Sequence, residues 1–180
     1  MTQTALFPNV TMTAPEPEVV KGARISDCGL YRYQLWRIWD VGAYTMPIVM
    51  LNPSTADADH DDPTIRRCMA FARRERFGGI HVLNLFAYRS TSPTDMKAAA
   101  DPIGPENDGE LDRLFIAAKE YGTPVLAAWG AHGDFRQRAS QVRGLARAIG
   151  ANLQCLGTTD KGHPRHPLYV PGNQPLEWLP

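Results

Sequence analysis

Four short apolar runs alternate with helical patterns along the chain. The runs lie at 46–51, 80–86, 124–129 and 152–156. Each run is bounded by Gly, Pro or polar residues, which is typical of buried strands. The intervening segments repeat apolar residues every three or four positions, as helices with one buried face do. These helical segments lie at 63–77, 107–121 and 134–149.

The ends of these helices carry recognisable signals. Asp62 followed by Pro63 is typical of a helix start, with the carboxylate as N-cap and proline in the first turn. Gly78-Gly79 and Gly150 are typical of the residues that end helices. Regular alternation of strands and helices predicts a three-layer α/β/α sandwich around a mainly four-stranded parallel sheet.

The N-terminal part of the chain has a different pattern. Residues 1–22 contain three prolines and little periodicity, so we predict a flexible leader before a single domain at 23–180. Aromatic and polar residues alternate from Ile25 to Trp39, which predicts an N-terminal strand or hairpin beside the main sheet.

A polar loop follows each predicted core strand. The loops lie at 52–62, 84–92, 130–133 and 158–169. Ligands of open parallel sheets bind outside the carboxyl ends of the strands. We therefore expect the four loops to converge on one crevice.

The charges indicate no global attraction to nucleic acid, since the 180-residue chain has a formal net charge of zero. Fifteen of its nineteen basic residues are arginines, grouped mainly at 66–76 and 136–147. Arginine suits bidentate contacts to phosphate. The alternative is that both groups are solvated helix faces balanced by carboxylates.

Several functional classes have little support. No apolar run approaches the roughly 20 residues that span a bilayer, and the first residues lack the pattern of a signal peptide. We therefore expect a cytoplasmic protein that does not contact a membrane. Cys28, Cys68 and Cys155 are widely separated and form no CxxC pair, so we expect reduced thiols, no metal and no cofactor.

Asn84 and His166 are candidate site residues with two interpretations each. Asn84 ends an apolar strand, where its amide either bonds to backbone or recognises the edge of a base. His166 lies between Pro164 and Pro167, which restrict the direction of its imidazole. It is either a surface histidine or a catalytic one.

The acidic segment 57–62 also has alternatives. Its four aspartates are Asp57, Asp59, Asp61 and Asp62. They fit turn formation and N-capping, a water-activating carboxylate, or a divalent metal site, although no glycine-spaced calcium loop is present.

From about Ser26 to Val170 the chain resembles a bacterial and phage family known as domain of unknown function 1643. The shared motifs are the Cys-Gly-x-Tyr-Arg-Tyr start at 28–33, MLNPSTAD at 50–57, DDPT at 61–64, NLFAYRST at 84–91, AWG at 128–130 and PRHPLY at 164–169. That family implies no activity.

More distantly, the chain resembles the uracil-DNA glycosylase superfamily through four short motifs in the same order. These are Asn52-Pro53, Val82-Leu83-Asn84, the strand end at 127–130 and His166-Pro167. The resemblance implies a uracil-DNA-glycosylase-like fold. It also implies a DNA-binding, monomeric repair enzyme that flips out a nucleotide and hydrolyses its N-glycosyl bond during base excision. The scattered cysteines indicate no iron–sulfur cluster.

The resemblance also implies roles by position. Asn52 would position the attacking water, His166 would stabilise charge on the departing base, and Asp57 or Asp62 would assist. The base and substrate contacts would come from Asn84, Pro53, Ser54, Thr55, Phe86 and Tyr88. The DNA contacts would come from Arg89, Ser92, His163, Arg165, Leu168 and Tyr169, with Leu168 or Tyr169 filling the gap in the duplex.

Two features of the sequence leave alternatives for the identity of the excised base and for the catalytic histidine. Ser54 is small, which leaves room for a 5-substituent and suggests uracil-like or 5-modified pyrimidines such as 5-hydroxymethyluracil. His163 and His166 are both candidates for the catalytic histidine. The rival functions are a nucleotide- or nucleoside-processing enzyme and a non-catalytic module that binds modified bases, each using the same pocket.

Overall fold

The computed structural model describes residues 19–54 and 56–180. Its strands are β1 (Val20–Ile25), β2 (Arg32–Ile38), β3 (Thr45–Met50), β4 (Gly79–Asn84), β5 (Val125–Ala127), β6 (Leu153–Cys155) and β7 (Glu177–Trp178). Its α-helices are α1 (Pro63–Arg74), α2 (Pro93–Ala98), α3 (Asn107–Glu120) and α4 (Arg138–Ile149). Short 3-10 helices lie at Gly130–Gln137 and Pro167–Tyr169.

The seven described strands form one sheet in the order β1-β2-β4-β3-β5-β6-β7. The four central strands β4, β3, β5 and β6 are mutually parallel, which confirms the predicted parallel core. β1 and β2 form an antiparallel hairpin that joins β4, and β7 pairs antiparallel with β6.

Two helical layers cover the sheet because the strands bury both faces. Along β3, Met46 and Ile48 point to the face that α1 covers. Val49 points to the opposite face, where α3 and α4 pack. Successive side chains of a strand alternate between faces, so one apolar strand contributes to both cores. The mixed α/β class and the layered arrangement are as predicted.

The chain order opens a crevice at the carboxyl ends of β3 and β5. β3 leads through α1 to β4 on one side, whereas β5 leads through α4 to β6 on the other. The two connections leave on opposite faces of the sheet, which is the arrangement that places ligand sites in α/β proteins.

Three predicted boundaries are wrong. β1 begins at Val20, so residues 20–22 belong to the sheet and not to a leader; residues 1–18 lie outside the described part. α1 ends at Arg74 rather than at the glycine pair, and Arg76 takes the left-handed conformation (φ 64°) that reverses the chain. α4 begins at Arg138, not at 134, because Arg136 and Gln137 both have positive φ.

Candidate functional site

A cavity of about 540 Å³ opens at the carboxyl edge of the parallel strands. Residues from all four polar loops line it, together with the start of β2 and the N-terminus of α1. The expected convergence of the loops is therefore observed. Of the predicted site residues, those that line the cavity are Asn52, Ser54, Asp62, Asn84, Arg165, His166, Leu168 and Tyr169.

Asn52 joins the loop after β3 to the loop after β4. Its Nδ2 donates to the carbonyl oxygens of Ser90 (2.8 Å) and Pro53 (3.1 Å). Ser90 N donates in return to the oxygen of Pro53 (2.9 Å). Because both hydrogens of the Asn52 amide are used, its Oδ1 is the atom left to bind a water or ligand.

Asn84 is the buried polar side chain at the end of β4, only 2% exposed. Its Oδ1 is buried and has no hydrogen-bond partner among residues 19–54 and 56–180. A buried amide oxygen without a partner costs about 1–3 kcal/mol. The alternative in which this amide bonds to backbone therefore does not account for the oxygen.

The backbone at Asn84 is held by two buried polar side chains. Asn107 Nδ2 donates to the carbonyl oxygens of Asn84 and Leu85, both at 3.0 Å. Arg138 Nε donates to the oxygen of Leu85 at 2.9 Å. These bonds replace the strand ladder where β4 leaves the sheet.

His166 lines the cavity from the start of the 3-10 helix 167–169. Its Nδ1 accepts a hydrogen bond from Leu168 N at 3.3 Å, which places the proton of the neutral imidazole on Nε2. Burial lowers the pKa of His166, and the negative charge of Asp62 opposes that shift. A bond from Gly130 N to the oxygen of Pro164 (2.9 Å) ties this loop to the end of β5. His166 is therefore suited to act as a neutral donor.

Asp62 both caps α1 and faces the cavity. Its Oδ1 accepts from Ile65 N at 2.8 Å, as the N-cap prediction requires. Its neighbour Asp61 forms an ion pair with the buried Arg37 (2.7 Å). The cavity thus contains one carboxylate whose position is fixed by a helix terminus.

Asp57 does not line the cavity, although the resemblance assigns it a catalytic role. Its Oδ1 accepts from the backbone N–H groups of Asp59 (2.9 Å) and His60 (2.8 Å). These bonds lower the pKa of Asp57 to about 2. The turn-forming interpretation explains this residue.

Other predicted binding residues lie away from the cavity. Phe86 is fully buried in the core against Phe135, with ring centroids 5.8 Å apart. Tyr88 packs edge-on against Tyr31. Pro53 is buried and does not line the cavity, and Thr55 lies outside the described residues. None of these aromatic rings is placed to stack on a ligand in the cavity.

Three predicted DNA-contact residues have structural partners. Ser92 caps α2 by accepting from Thr94 N (3.1 Å). His163 contacts Asp134 (3.3 Å) outside the cavity lining, so of the two candidate histidines it is His166 that reaches the cavity. Arg89 Nη1 donates to the oxygen of Gly29 (3.1 Å).

Arg165, Leu168 and Tyr169 form the rim of the cavity. Tyr169 is 80% exposed and its ring lies 5.5 Å from that of His166. Leu168 is 42% exposed. An exposed apolar and aromatic pair beside a cavity is available to contact a partner molecule.

Sequence reasoning missed Arg32, Trp129 and His132 as lining residues. Both Trp129 and His132 follow β5; the available signals were the AWG motif at 128–130 for Trp129 and the third polar loop for His132. Arg32 begins β2, and its backbone N donates to the oxygen of Ala87 at 2.9 Å. Only the antiparallel pairing of β2 with β4 brings Arg32 to this edge, and the sequence does not show that pairing.

Several arginines of the two groups bond to the protein's own atoms, and Arg74 and Arg138 pair with the carboxylates of Glu75 and Asp108 as one alternative predicted. In α1, Arg67 Nη2 donates to the oxygen of Val170 (2.6 Å) and Arg74 Nη1 to that of Gly172 (2.8 Å). In α4, Arg143 donates to the oxygen of Pro180, and Arg138 binds Asp108. Most of these guanidinium groups hold the C-terminal segment against the fold.

The described residues contain no group of three or more His, Cys, Asp or Glu side chains placed to bind a metal. The three cysteines are free; Cys68 and Cys155 are buried and Cys28 is exposed. Burial raises the pKa of Cys68 to about 12. No helix in the described part of the chain is long and apolar enough to cross a membrane.

The fold defines an α/β protein with a cavity built from loops at the carboxyl ends of parallel strands. The chain belongs to the family described as protein of unknown function, DUF1643, whose model matches residues 32–168. No curated protein matches the chain. No solved structure matches it either. The resemblance to the uracil-DNA glycosylase superfamily stays a prediction.

Proposed function

We propose that this protein is a monomeric DNA glycosylase that flips out a pyrimidine nucleotide and hydrolyses its N-glycosyl bond. The observation that carries the proposal is the buried Asn84 amide at the cavity, whose Oδ1 has no partner in the described part of the chain. A uracil-type base presents an N–H donor beside a carbonyl acceptor. One amide side chain satisfies both groups.

The remaining cavity groups suit bond cleavage. His166 donates from Nε2 to the carbonyl oxygen of the base, where negative charge develops as the C1′–N1 electron pair leaves with the base. The carboxylate of Asp62 stabilises the oxocarbenium-like sugar. Asn52 Oδ1 holds the water that adds to C1′, and the proton which that water loses ends on the departed base.

The substrate range follows from the loop after β3. Ser54 lines the cavity beside Asn52 and its side chain is small. A 5-substituent therefore finds room there, which supports uracil-like or 5-modified pyrimidines such as 5-hydroxymethyluracil as substrates. A uracil-DNA-glycosylase-like fold is part of this proposal, supported by four parallel strands whose carboxyl ends carry the four motifs.

The test is excision from oligonucleotides that carry U, a T·G mismatch or 5-hydroxymethyluracil, in single- and double-stranded form. We expect alkali-labile abasic sites from at least one substrate. Asn84→Ala and His166→Ala should each lower the rate about 10²–10³-fold, the usual loss for one such donor. The matched controls are Asn173→Ala and His60→Ala, which change an exposed amide and an exposed imidazole outside the cavity lining.

Two results would contradict the proposal. If no substrate yields abasic sites at micromolar enzyme, the protein is not a glycosylase for these bases. Tight binding of the same oligonucleotides without abasic product would select a non-catalytic module that binds modified bases.

A free-nucleotide enzyme is a second candidate, favoured by one observation. The arginines of α1 and α4 largely donate to the protein's own carbonyl oxygens and carboxylates, so they do not form a free basic groove. Base release from a mononucleotide, with no release from oligonucleotides, would select this candidate.

A further inference from the structure

Three arginines are buried in the described residues, and they differ in how their charge is balanced. They are Arg32, Arg37 and Arg138. Arg37 pairs with Asp61 and also donates to the carbonyl oxygens of four residues. Arg138 pairs with Asp108 and donates to Leu85 O. The positive charges of Arg37 and Arg138 are therefore each balanced by a carboxylate, as is usual for buried charges.

Arg32 forms no ion pair with a carboxylate in the described part of the chain. It is 3% exposed, and its single side-chain hydrogen bond within the described residues runs from Nη1 to the oxygen of Ala56 (2.5 Å). Its Nε is buried without a partner. A guanidinium offers five N–H donors, so most of the hydrogen-bonding capacity of Arg32 is unused.

A second under-bonded guanidinium lies close by. Arg89 Nε is also buried and without a partner in the part of the chain that the structure describes. Burial lowers the pKa of Arg32 to about 10, a shift that the charge of Arg89 increases and that of Asp62 opposes. Neither arginine forms an ion pair with a carboxylate among residues 19–54 and 56–180. Two cations that repel each other favour an anion beside them.

The unbalanced charge borders the cavity that contains Asn84. Arg32 lines this cavity together with Ser54 and Thr64. Thr64 belongs to the first turn of the 12-residue helix α1, whose N-terminus is capped by the Asp62 carboxylate. The Arg32 guanidinium and the hydroxyls of Ser54 and Thr64 form a set of donors suited to oxygen atoms of a phosphate.

We propose that Arg32 is the phosphate-binding residue of this cavity and pairs with a phosphate group of the same nucleotide whose base Asn84 recognises. The base part of this inference rests on the proposed function, whereas the phosphate part does not. The phosphate is either the monoester of a free nucleotide or a phosphodiester flanking the flipped nucleotide in DNA. Both have the same anionic oxygens.

The test compares a nucleoside with two ligands that carry phosphate, one as a monoester and one as phosphodiesters. Isothermal titration calorimetry would measure the Kd of deoxyuridine, deoxyuridine 5′-monophosphate and a uracil-containing trinucleotide. Charge-assisted hydrogen bonds to a buried guanidinium predict binding about 10–100-fold tighter for a phosphorylated ligand than for deoxyuridine. Preference for the monophosphate indicates a free nucleotide, and preference for the trinucleotide alone indicates DNA.

Arg32→Met keeps the length of the side chain and removes its charge. We expect it to reduce the preference for phosphorylated ligands to about threefold or less, because the neutral side chain loses the bonds to phosphate. Arg32→Lys should retain an intermediate preference, since lysine keeps the charge without the planar fork. Arg113→Met is the matched control, because Arg113 is largely exposed on α3, away from the cavity lining. It should behave like the wild type.

Measurements on the wild-type protein test the phosphate proposal even if a variant does not fold or Asn84 does not bind a base. Equal wild-type affinity for deoxyuridine and both phosphorylated ligands would overturn the proposal, as would an undiminished preference in Arg32→Met. If no nucleoside or nucleotide binds, inorganic phosphate is the probe. A phosphate-dependent rise in the wild-type Tm that Arg32→Met lacks would support the phosphate site while the base assignment fails. Absence of that rise in the wild type would overturn the proposal itself.

Discussion

Asn107 is the side chain that fixes the position of Asn84, although it does not line the cavity. It begins α3, is fully buried, and donates from Nδ2 to two consecutive carbonyl oxygens at the end of β4. Those oxygens lie at the end of the strand, and the Asn107 amide supplies the hydrogen-bond donors that a neighbouring strand would otherwise supply. Asn107 is thus a positioning residue for the proposed base contact.

Asn107→Ala should lower both stability and activity. Loss of the two bonds leaves buried carbonyl oxygens without those donors, at a cost of about 1–3 kcal/mol in the free energy of unfolding. Urea denaturation would measure this cost. The kcat/KM for base excision should fall by more than the loss of folded protein accounts for. The control is Val142→Ala on α4, which leaves a core cavity away from the site. Equal activity per folded molecule in both variants would remove the positioning role.

His166 should act in its neutral form. Burial lowers its pKa below 6.5 in the folded protein, so the unfolded chain binds more protons as the pH falls through 6.5. Stability linked to this residue is therefore present above pH 6.5 and is lost as the pH falls toward the folded pKa. Excision should stay constant from pH 8 to 6.5 and decline only at lower pH.

Histidine-resolved NMR titration would measure that pKa directly. His166→Gln is the useful variant, because it removes the titration while keeping a side-chain donor. Its stability should depend less on pH below 6.5 than that of the wild type. A measured pKa of His166 at or above 6.5 would contradict the neutral-donor role.

Among the helices and strands, the sequence predicted the boundaries that depend on interactions within a few neighbouring residues. The Asp62-Pro63 start of α1 was predictable because the cap and the proline act within one turn. The bend before α4 was not, because Arg136 and Gln137 take positive φ although neither is a residue type that favours it. β7 was missed because two residues carry no periodicity and pair only with a finished β6.

Two substitutions of Asp62 separate its role as N-cap of α1 from the role of its negative charge in the cavity. Asp62→Ala should cost about 1 kcal/mol of stability through loss of the N-cap. Asp62→Asn should cost little, because asparagine caps equally well. Both variants remove the carboxylate from the cavity, so both should lower kcat. Thermal unfolding and excision assays would give the two readouts. An Asn variant with full activity would exclude an electrostatic role for Asp62.

For the whole molecule, the sequence predicted where the cavity lies better than which residues line it. Motif loops such as 50–57 and 164–169 follow core strands, and the carboxyl edge of a parallel sheet collects them. Arg32 and Asn107 were missed because the pairing of β2 with β4 and the start of α3 bring them to that edge. Phe86 was misplaced because strand polarity alone does not show which side of the sheet end faces the core.

The charge distribution predicts how strongly salt would affect the proposed binding to DNA. The net charge is zero, and the arginines of α1 and α4 mostly bond to the protein's own atoms. Arg165 lies at the cavity rim, is exposed, and uses only its Nε, toward Thr158 O, among the described contacts. Few guanidinium groups are therefore positioned to displace counterions from a nucleic acid strand.

We accordingly expect a shallow salt dependence for binding to a uracil-containing single strand. Two or three phosphate contacts give a slope of log K against log salt of about −1.5 to −2, since each contributes roughly −0.7. Arg165→Met should reduce the slope by about one contact, whereas Arg113→Met should leave it unchanged. Fluorescence anisotropy between 50 and 300 mM KCl would measure all three slopes. A wild-type slope steeper than about −5 would mean that a broad basic surface, and not the cavity rim, makes the DNA contacts.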